Sequence, residues 1–503
     1  MRHGSERRLS ICLAALTLAF AAAAGPAAAD PVGPLSHAGP WITDSLGRVV
    51  ILHGVNMVYK LPPYYPSAVR FDEDDARFLR TEGFNTVRVG IIYKAVEPQP
   101  GVYDDAYLDR IAETVATLGR QGIFSMLDFH QDMYNERFQG EGFPDWAVQD
   151  DGLPAQPRLG FSANYFGMPA LVRAFDHFWA NDPGPGGVGL QDRYAAAWRH
   201  VAERFRADAN VLGYELFNEP WPGSTWPTCA NTAGCPVFDA QLAAFSKRSI
   251  AAIRQADSRT LVFYEPNVIF NDGADTNVGS LGDPSLGFAF HDYCLSESQT
   301  HSNAGCDPFD DLVFANALKH SAATGAALLM TEFGASQDFG NLQAMVDRAD
   351  RNMVGWQYWA YCGCSDPTTS GPGTVQALVI DPAKPPTGDN VDRPKLALLA
   401  RPYPQAVAGT PTSFSFDPAT KTFQLSYSAA GAGGGGLAPA AQTEISIPPA
   451  QYPQGYDVEV SGGRVTSEVD ASVLTVANRA QQVNVKVTPA ASGRRRPPAG
   501  TTP

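Results

Sequence analysis

The chain has 503 residues, which is enough for one large domain and a smaller one. Its hydrophobic fraction of 44% is that of a globular protein with a sizeable core. A formal net charge of −15 argues against nucleic acid or an anionic membrane surface as an electrostatic partner. An uncharged substrate, including one with an apolar part, is compatible with this charge.

The N-terminus has the pattern of an export signal. Arg2, Arg7 and Arg8 form a basic region, a short apolar core follows, and small residues precede Asp30. The apolar run is too short to span a bilayer comfortably, and a retained anchor is the alternative interpretation. The sequence therefore predicts a signal peptide over residues 1–29 and a secreted, extracellular protein.

Eight apolar, β-branched segments then alternate with amphipathic stretches. Continuous apolar runs indicate strands that are buried on both faces, as in a parallel sheet. Several amphipathic stretches open on Asp and close on Gly, which are preferred residues at helix ends. This alternation predicts an α/β fold, a (β/α)8 TIM barrel over residues 30–400. The predicted strands are 49–57, 84–92, 122–130, 211–220, 260–267, 287–294, 327–334 and 353–361. The predicted helices are 72–83, 105–122, 190–208, 238–257 and 309–325.

Polar and aromatic side chains lie at the ends of these strands. In a TIM barrel the carboxyl ends of the strands surround the active site, so eight segments would place functional side chains at one mouth. These residues are His53, Asn56, Arg88, Asp128, His130, Asn218, Glu219, Glu265, His291, Tyr293, Glu332 and Trp359.

A long aromatic segment separates the third and fourth predicted strands. Its rings could stack on sugars or line an apolar groove, or they could simply pack the segment onto the barrel. They are Phe143, Trp146, Phe161, Tyr165, Phe166, Phe178 and Trp179.

Six cysteines remain once the signal segment is removed, and an even count in an exported chain suggests disulfides. Cys229–Cys235 and Cys294–Cys306 would each close a short local loop. A bridge between Cys362 and Cys364 would be strained, so partner exchange and free thiols stay open. A metal site is the less favoured alternative, because the chain has no C-x2-C pair.

The sequence pattern changes near residue 400. Short alternating segments separated by turn residues predict a small C-terminal antiparallel β-sandwich over residues 401–490. It has no clear binding pattern, so we expect it to brace the barrel. The Pro-rich, polar residues 491–503 predict a disordered tail.

Two carboxylates carry the functional prediction. Glu219 ends the fourth strand and Glu332 ends the seventh, so a barrel would bring both to its mouth. Retaining glycoside cleavage needs a carboxylic acid and an attacking carboxylate about 5 Å apart. Asn218 could bind a sugar hydroxyl, whereas Tyr293 and Arg88 could keep Glu332 ionised, with Arg88 lowering its pKa. We therefore assign Glu332 as nucleophile and Glu219 as acid/base.

Several of these motifs together resemble glycoside hydrolase family 5. The matching pieces are Arg88, His130 in "DFHQD", "NEP" at 218–220, "HDY" at 291–293, "TEFG" around Glu332, and Trp359. The resemblance places the nucleophile on the seventh strand, which favours Glu332 over Glu265. Trp359 could form the platform below the sugar, with core packing near the last strand as the alternative. His130 could contact a sugar hydroxyl, which the nearby Asp128 and Asp132 favour, or be a histidine whose hydrogen bonds are satisfied within the barrel.

Within that family the sequence is more similar to endoglycoceramidases. The similar stretches are "LHGVNMVYK", "VEPQPGVYDDAYLDRI", "DFHQDMY" and "PYPQAVAGTP". The resemblance implies that Lys60 binds sugar and that Asp128 and Asp132 contact the glycone. The stretches "WPGSTWPTCANTAGCP" and "YWAYCGCSDP" depart from the pattern, which leaves the exact glycan and aglycone open. The full predicted binding set is Lys60, Arg88, Asp128, His130, Asp132, Asn218, His291, Tyr293 and Trp359.

The resulting hypothesis is a secreted retaining glycosidase that cleaves the β-glycosidic bond between a glycan and a ceramide or similar lipid by double displacement. An endo-β-glucanase or β-glucosidase of the same family is the alternative. A non-catalytic carbohydrate-binding protein is disfavoured, because binding alone does not require the Glu219 and Glu332 pair. We expect a monomer that needs no metal or organic cofactor. Its expected substrate is a glycolipid or an oligosaccharide. Transient contact with a membrane surface is compatible with this hypothesis, and binding to nucleic acid is not expected.

Overall fold

The computed structural model describes residues 30–294, 302–369 and 373–491, together with Met1, Ser296 and Thr300. The predicted signal peptide (apart from Met1) and the predicted tail from residue 492 on lie outside the described residues. Among the helices that the structure describes, none combines the length and apolar character needed to cross a bilayer.

Eight parallel strands form a closed barrel, as predicted. Each strand pairs with the next one along the chain, and the eighth closes the ring on the first. Every residue of these strands is buried, which explains their continuous apolar sequence. The strands are β4 (His53–Met57), β5 (Thr86–Ile92), β6 (Phe124–His130), β7 (Val211–Glu215), β8 (Leu261–Tyr264), β9 (Leu286–Asp292), β10 (Ala327–Phe333) and β11 (Gly355–Tyr358).

Helices connect the strands on the outside of the barrel. The five predicted helices are present, and α5 (Pro169–Trp179) and α9 (Phe339–Asn352) are additional long helices that the sequence pattern did not reveal. Helix α9 begins after Asp338, whose side chain accepts hydrogen bonds from the backbone N–H groups of Gly340 and Asn341. The described helices are α1 (Glu73–Thr81), α2 (Tyr93–Val96), α3 (Asp105–Arg120), α4 (Asn164–Gly167), α5 (Pro169–Trp179), α6 (Leu190–Phe205), α7 (Pro236–Arg254), α8 (Asp307–Thr324), α9 (Phe339–Asn352), α10 (Gly373–Gln376) and α11 (Arg393–Leu399). Short 3-10 helices cover Pro66–Val69, Glu136–Phe138, Asp145–Ala147, Pro185–Gly187, Gly223–Thr228, Val268–Asp272, Gly388–Asn390 and Ala432–Gly434.

The C-terminal unit contains two antiparallel sheets with a core of their own. One sheet has the strand order β13-β14-β19-β16, and the other has the order β1-β2-β3-β12-β15-β18-β17. The strands are β1 (Ser36–Ala38), β2 (Trp41–Thr43), β3 (Val49–Val50), β12 (Tyr403–Val407), β13 (Thr410–Asp417), β14 (Thr422–Ser428), β15 (Thr443–Ser446), β16 (Tyr456–Ser461), β17 (Gly463–Val465), β18 (Val473–Asn478) and β19 (Gln482–Pro489). Phe423, Tyr427 and Val485 pack between the sheets. The predicted domain limits stay a prediction, and three strands from the start of the described chain join this unit.

The first predicted strand, 49–57, is divided between the two units. Val49 and Val50 pair with β12 of the C-terminal sheet, and the barrel strand starts only at His53. An apolar β-branched run predicts a strand but not its partner, so the sequence could not show the division. His53 was wrongly expected at the mouth. It opens β4 at the opposite end of the barrel, where its ring stacks on Trp356 at 4.3 Å and on Tyr403 at 3.7 Å.

Three disulfides lie on loops that follow barrel strands. Cys229–Cys235 follows β7 and Cys294–Cys306 follows β9, as predicted. The question left open for Cys362 and Cys364 is answered by a bridge between these two residues, after β11. All three therefore fix loops at the carboxyl ends of the strands.

Candidate active site

The eleven predicted site residues form one connected network at the mouth of the barrel. Glu219 lies four residues beyond the end of β7, and Glu332 lies within β10. These are the fourth and seventh strands of the barrel, so the predicted strand count holds. Strand order alone thus brings together two acids that are 113 residues apart in sequence.

Arg88 is the centre of this network. Its guanidinium is fully buried and bonds the carboxylates of Glu332 and Glu215. It also donates to the Asn218 side-chain oxygen at 2.8 Å and lies 3.1 Å from Asp128. One buried cation thus orients four side chains from three strands, β6, β7 with its end, and β10, and offsets part of their negative charge.

Glu332 is held by a cation and a hydroxyl. The Tyr293 hydroxyl donates to Glu332 Oε2 at 3.0 Å, while Arg88 binds Oε1. Burial nevertheless raises the pKa of Glu332 above its usual value, and Arg88 only opposes this effect. The expectation of a lowered pKa was therefore wrong, because the sequence does not reveal how deeply the carboxylate is buried.

Glu219 has neutral partners. Asn271 donates to Glu219 Oε1 at 2.7 Å, and His291 Nδ1 lies 2.9 Å from the same oxygen. Burial raises the pKa of Glu219 to about 7, and the charge of Asp132 adds to the rise. Burial also lowers the pKa of His291 to about 4, so its imidazole is neutral. Glu219 can therefore hold a proton near neutral pH.

The two glutamates approach each other closely. A carboxylate oxygen of Glu219, one of Glu332 and a ring nitrogen of His291 all lie within 4.8 Å of one another. One carboxyl that holds a proton thus faces a second that is bound by a guanidinium. This arrangement can protonate one side of a bond while attacking the other.

Lys60 forms a second cluster beside the glutamates. Its ammonium donates to Asp132 at 2.6 Å and to the Thr368 hydroxyl at 2.9 Å, and it lies 3.2 Å from Asp366. It also lies 4.4 Å from the centre of the Trp359 ring. Thr368 and Asp366 were not anticipated, because they lie in an irregular loop after β11 with no recognisable pattern.

His130 links the two clusters. Its Nδ1 lies 2.8 Å from Asp128, and its Nε2 lies 3.5 Å from Asp132. Burial opposes its charge, but Asp128 and Asp132 outweigh burial and raise its pKa to about 10. The ring stacks against Trp359 at 5.3 Å, and the Trp359 indole donates to Gln376 at 3.2 Å. The predicted platform is thus fixed from its ring face and its edge.

Several buried polar atoms at the mouth lack a hydrogen-bond partner within the described part of the chain. They are Asp128 Oδ1, His130 Nε2, Glu141 Oε1, Glu265 Oε1 and His291 Nε2. Unpartnered buried donors and acceptors are costly, so such atoms mark places where a ligand can supply the missing bonds. Sugar hydroxyls both donate and accept, which suits this mixed set.

Histidine and acidic side chains also come close enough here to raise the question of a metal. The sets are His130–Asp132–Glu141, Glu215–Glu265–His291 and Glu219–His291–Glu332. Each contains a carboxylate that already bonds Lys60 or Arg88. A cation of the protein therefore partly neutralises each set, which favours glycan binding over metal binding.

The aromatic segment between β6 and β7 mainly packs on itself. Phe143, Tyr165, Phe178 and Trp179 are at most 5% exposed. Trp146 and Phe161 are half-buried. Phe166 is 48% exposed, and it packs edge-on against Trp221, which follows Glu219 by two residues. Packing is thus the main role of this segment, with one exposed ring close to the site.

Comparison with known families agrees with this geometry. Residues 44–365 match the model of cellulase, glycosyl hydrolase family 5. Residues 401–488 match the glycoside hydrolase family 5 C-terminal domain.

Individual relatives extend the match over most of the chain. Endoglycoceramidase I of Rhodococcus hoagii is 34% identical and covers 91% of this chain and 89% of its own. Endo-glycoceramidase II from Rhodococcus sp. in its ganglioside GM3 complex is 32% identical with a TM-score of 0.75, over 90% of this chain and 99% of the other. The structure of its lactosyl-enzyme intermediate is 32% identical with a TM-score of 0.73, over 89% of this chain and 99% of the other. The chain therefore belongs to glycosyl hydrolase family 5 and is an endoglycoceramidase-like glycosidase.

Proposed function

We propose that this protein is a secreted retaining glycosidase that cleaves the β-glycosidic bond between a glycan and the ceramide, or a similar lipid, of a glycolipid. The separation of the two glutamates carries the proposal. Oxygens of Glu219 and Glu332 within 4.8 Å fit the short carboxyl spacing of retaining enzymes. Inverting enzymes need roughly 6.5–9.5 Å to admit a water molecule.

In the first step the Glu332 carboxylate attacks the anomeric carbon and forms a C–O bond. The glycosidic bond breaks, and its electron pair stays on the lipid oxygen, which takes the proton of Glu219. Because its pKa is raised to about 7, the Glu219 carboxyl still carries that proton near neutral pH. Arg88 and Tyr293 hold the oxygens of Glu332 while it attacks.

In the second step a water molecule gives a proton to Glu219 and attacks the anomeric carbon. The bond to Glu332 breaks, which restores its carboxylate and releases the glycan with retained configuration. Asn218, whose side-chain oxygen accepts a hydrogen bond from Arg88, would bind a sugar hydroxyl beside the reacting carbon. The Lys60 cluster and Trp359 would hold the sugar.

The relatives support the lipid aglycone and the two-step route. Proteins about a third identical to this chain are endoglycoceramidases, and one of them has been captured with ganglioside GM3 and as a lactosyl-enzyme intermediate. The N-terminal export pattern and three disulfides support secretion.

Product analysis tests the proposal. The purified protein is incubated with glycosphingolipids, aryl β-glucosides and β-glucans, and the products are identified by mass spectrometry and NMR. We expect intact glycan and ceramide, with the β-anomer of the glycan formed first. The variant Glu113→Gln, an exposed glutamate on α3, serves as control. Cleavage of β-glucan without cleavage of any glycolipid would favour a glucanase, and an α-anomer formed first would overturn the retaining route.

A further inference from the structure

Glu265 is a buried carboxyl that the mechanism above does not use. It directly follows β8 and is only 5% exposed. The strand pattern marked it as a possible rival of Glu332, yet its contacts lead to Glu219. Its surroundings therefore suggest a role that differs from direct attack on substrate.

One contact joins Glu265 to the backbone of Glu219. Glu265 Oε2 accepts a hydrogen bond from the Glu219 N–H at 3.0 Å. At this residue the backbone has a φ of +47°, in the left-handed region that residues other than glycine rarely occupy. Such a conformation is strained for a residue with a side chain and persists only where surrounding contacts hold it. The carboxyl of Glu265 supplies one such contact.

A second contact reaches the side chain of Glu219 through His291. Glu265 Oε1 lies 3.7 Å from His291 Nε2 and 3.5 Å from an Arg88 guanidinium nitrogen. Neither Glu265 Oε1 nor His291 Nε2 has a hydrogen-bond partner in the part of the chain that the structure covers. The other ring nitrogen of His291 lies 2.9 Å from Glu219 Oε1. Glu265 thus faces Glu219 along two routes, one through the backbone and one through an imidazole.

We propose that Glu265 is a positioning residue for the acid/base, because it fixes the backbone of Glu219 and sets the orientation and tautomer of His291. This inference rests on the proposed role of Glu219. Burial, with Glu215 adding its charge, raises the pKa of Glu265 well above its usual value. A protonated Glu265 carboxyl beside His291 Nε2 favours the tautomer that carries its proton on Nδ1, which faces the Glu219 carboxylate.

Leaving-group dependence tests this role. Two glycosides with the same sugar are compared, one with a lipid alcohol and one with dinitrophenol, whose departure needs no proton. Glu265→Ala should lower kcat/KM about 100-fold for the lipid glycoside but less than about threefold for the dinitrophenyl glycoside. Its alkaline pH limb should also shift. Glu265→Gln keeps an oxygen for the Glu219 N–H and donors for His291, so it should restore most of the lost rate.

Glu219→Ala separates this inference from the proposed function. It should show the same dependence on the leaving group, and if it does not, the proposed role of Glu219 fails. Suppose that Glu219→Ala slows the lipid glycoside selectively, whereas Glu265→Ala slows both glycosides equally or slows neither of them. Then only the role of Glu265 is overturned. Glu265→Leu keeps more of the side-chain volume and must show the same selective loss if the alanine variant does not fold.

Discussion

Two glutamates at the barrel mouth, Glu332 and Glu219, have different hydrogen-bond partners on the two sides of the mouth. On the side of β5 and β10, Glu332 is bound by the Arg88 guanidinium and the Tyr293 hydroxyl. On the side of β7 and β8, Glu219 meets an amide and a neutral imidazole. Burial raises the pKa of both groups, but only Glu332 has a directly bound cation to oppose it. The partners, and not the residue type, therefore separate attacking base from acid.

Removing the proposed nucleophile should have the largest effect. Glu332→Gln keeps the shape of the side chain but cannot form the covalent bond, so kcat should fall by at least about 10,000-fold on every glycoside. Steady-state rates on a glycolipid and on an aryl glycoside check this, with Glu113→Gln as the control. Turnover within tenfold of the unchanged protein would show that Glu332 does not attack.

Removing the proposed acid should have a large but selective effect. Glu219→Gln should slow the lipid glycoside about 1,000-fold and the dinitrophenyl glycoside far less, because only the lipid oxygen needs a proton. In the unchanged protein, kcat/KM for the lipid glycoside should fall as pH rises through about 7, where Glu219 loses its proton. An alkaline limb that Glu219→Gln retains unaltered would assign that limb to another group.

Weakening the support of Glu332 should have a moderate effect. Tyr293→Phe removes the hydroxyl that donates to Oε2 but leaves Arg88 in place, so we expect kcat to fall about tenfold. The acidic limb of the pH profile should move to higher pH, because the carboxylate loses a donor that favours its charged form. A shift of the alkaline limb instead would place Tyr293 in the environment of Glu219.

The smallest expected effect concerns stability. A carboxyl whose pKa rises on folding stabilises the fold at low pH, and this contribution is lost as pH rises through the folded pKa, about 7 for Glu219. Glu219→Gln should therefore raise the Tm at pH 8 but not at pH 4.5, and the free energy of unfolding at pH 8 should rise by at most roughly 3 kcal/mol. Glu332→Gln should raise the Tm at pH 8 by less than Glu219→Gln does, because Arg88 loses a charged partner. Calorimetry at both pH values measures these Tm changes. Equal increases in Tm for the two variants at pH 8 would contradict the expected order.

Strand-end residues were predictable from the sequence, and residues in loops were not. Glu219 and Glu332 follow apolar runs that a parallel barrel must converge on one mouth, and Arg88 lies inside such a run, so pattern and topology sufficed. Lys60 was reached only through resemblance to a family. Asn271 lies in a 3-10 helix and Thr368 in an irregular loop, where no periodicity indicates which way a side chain points.

Charge states were harder to predict than positions. Arg88 next to Glu332 suggested a lowered pKa, but the pKa of a carboxyl also depends on its burial, and that is a property of the whole fold. The same limit applies to Val49 and Val50, whose sequence predicts a strand and whose partner, β12, lies more than 350 residues away.

Trapping the covalent intermediate tests the central division of roles most directly. The protein is incubated with a 2-deoxy-2-fluoro-β-glycoside of dinitrophenol, and the adduct is located by mass spectrometry of the intact protein and of its peptides. We expect one fluoroglycosyl group per chain, attached to Glu332. An adduct on Glu219 or Glu265, or hydrolysis with no covalent adduct at all, would contradict it.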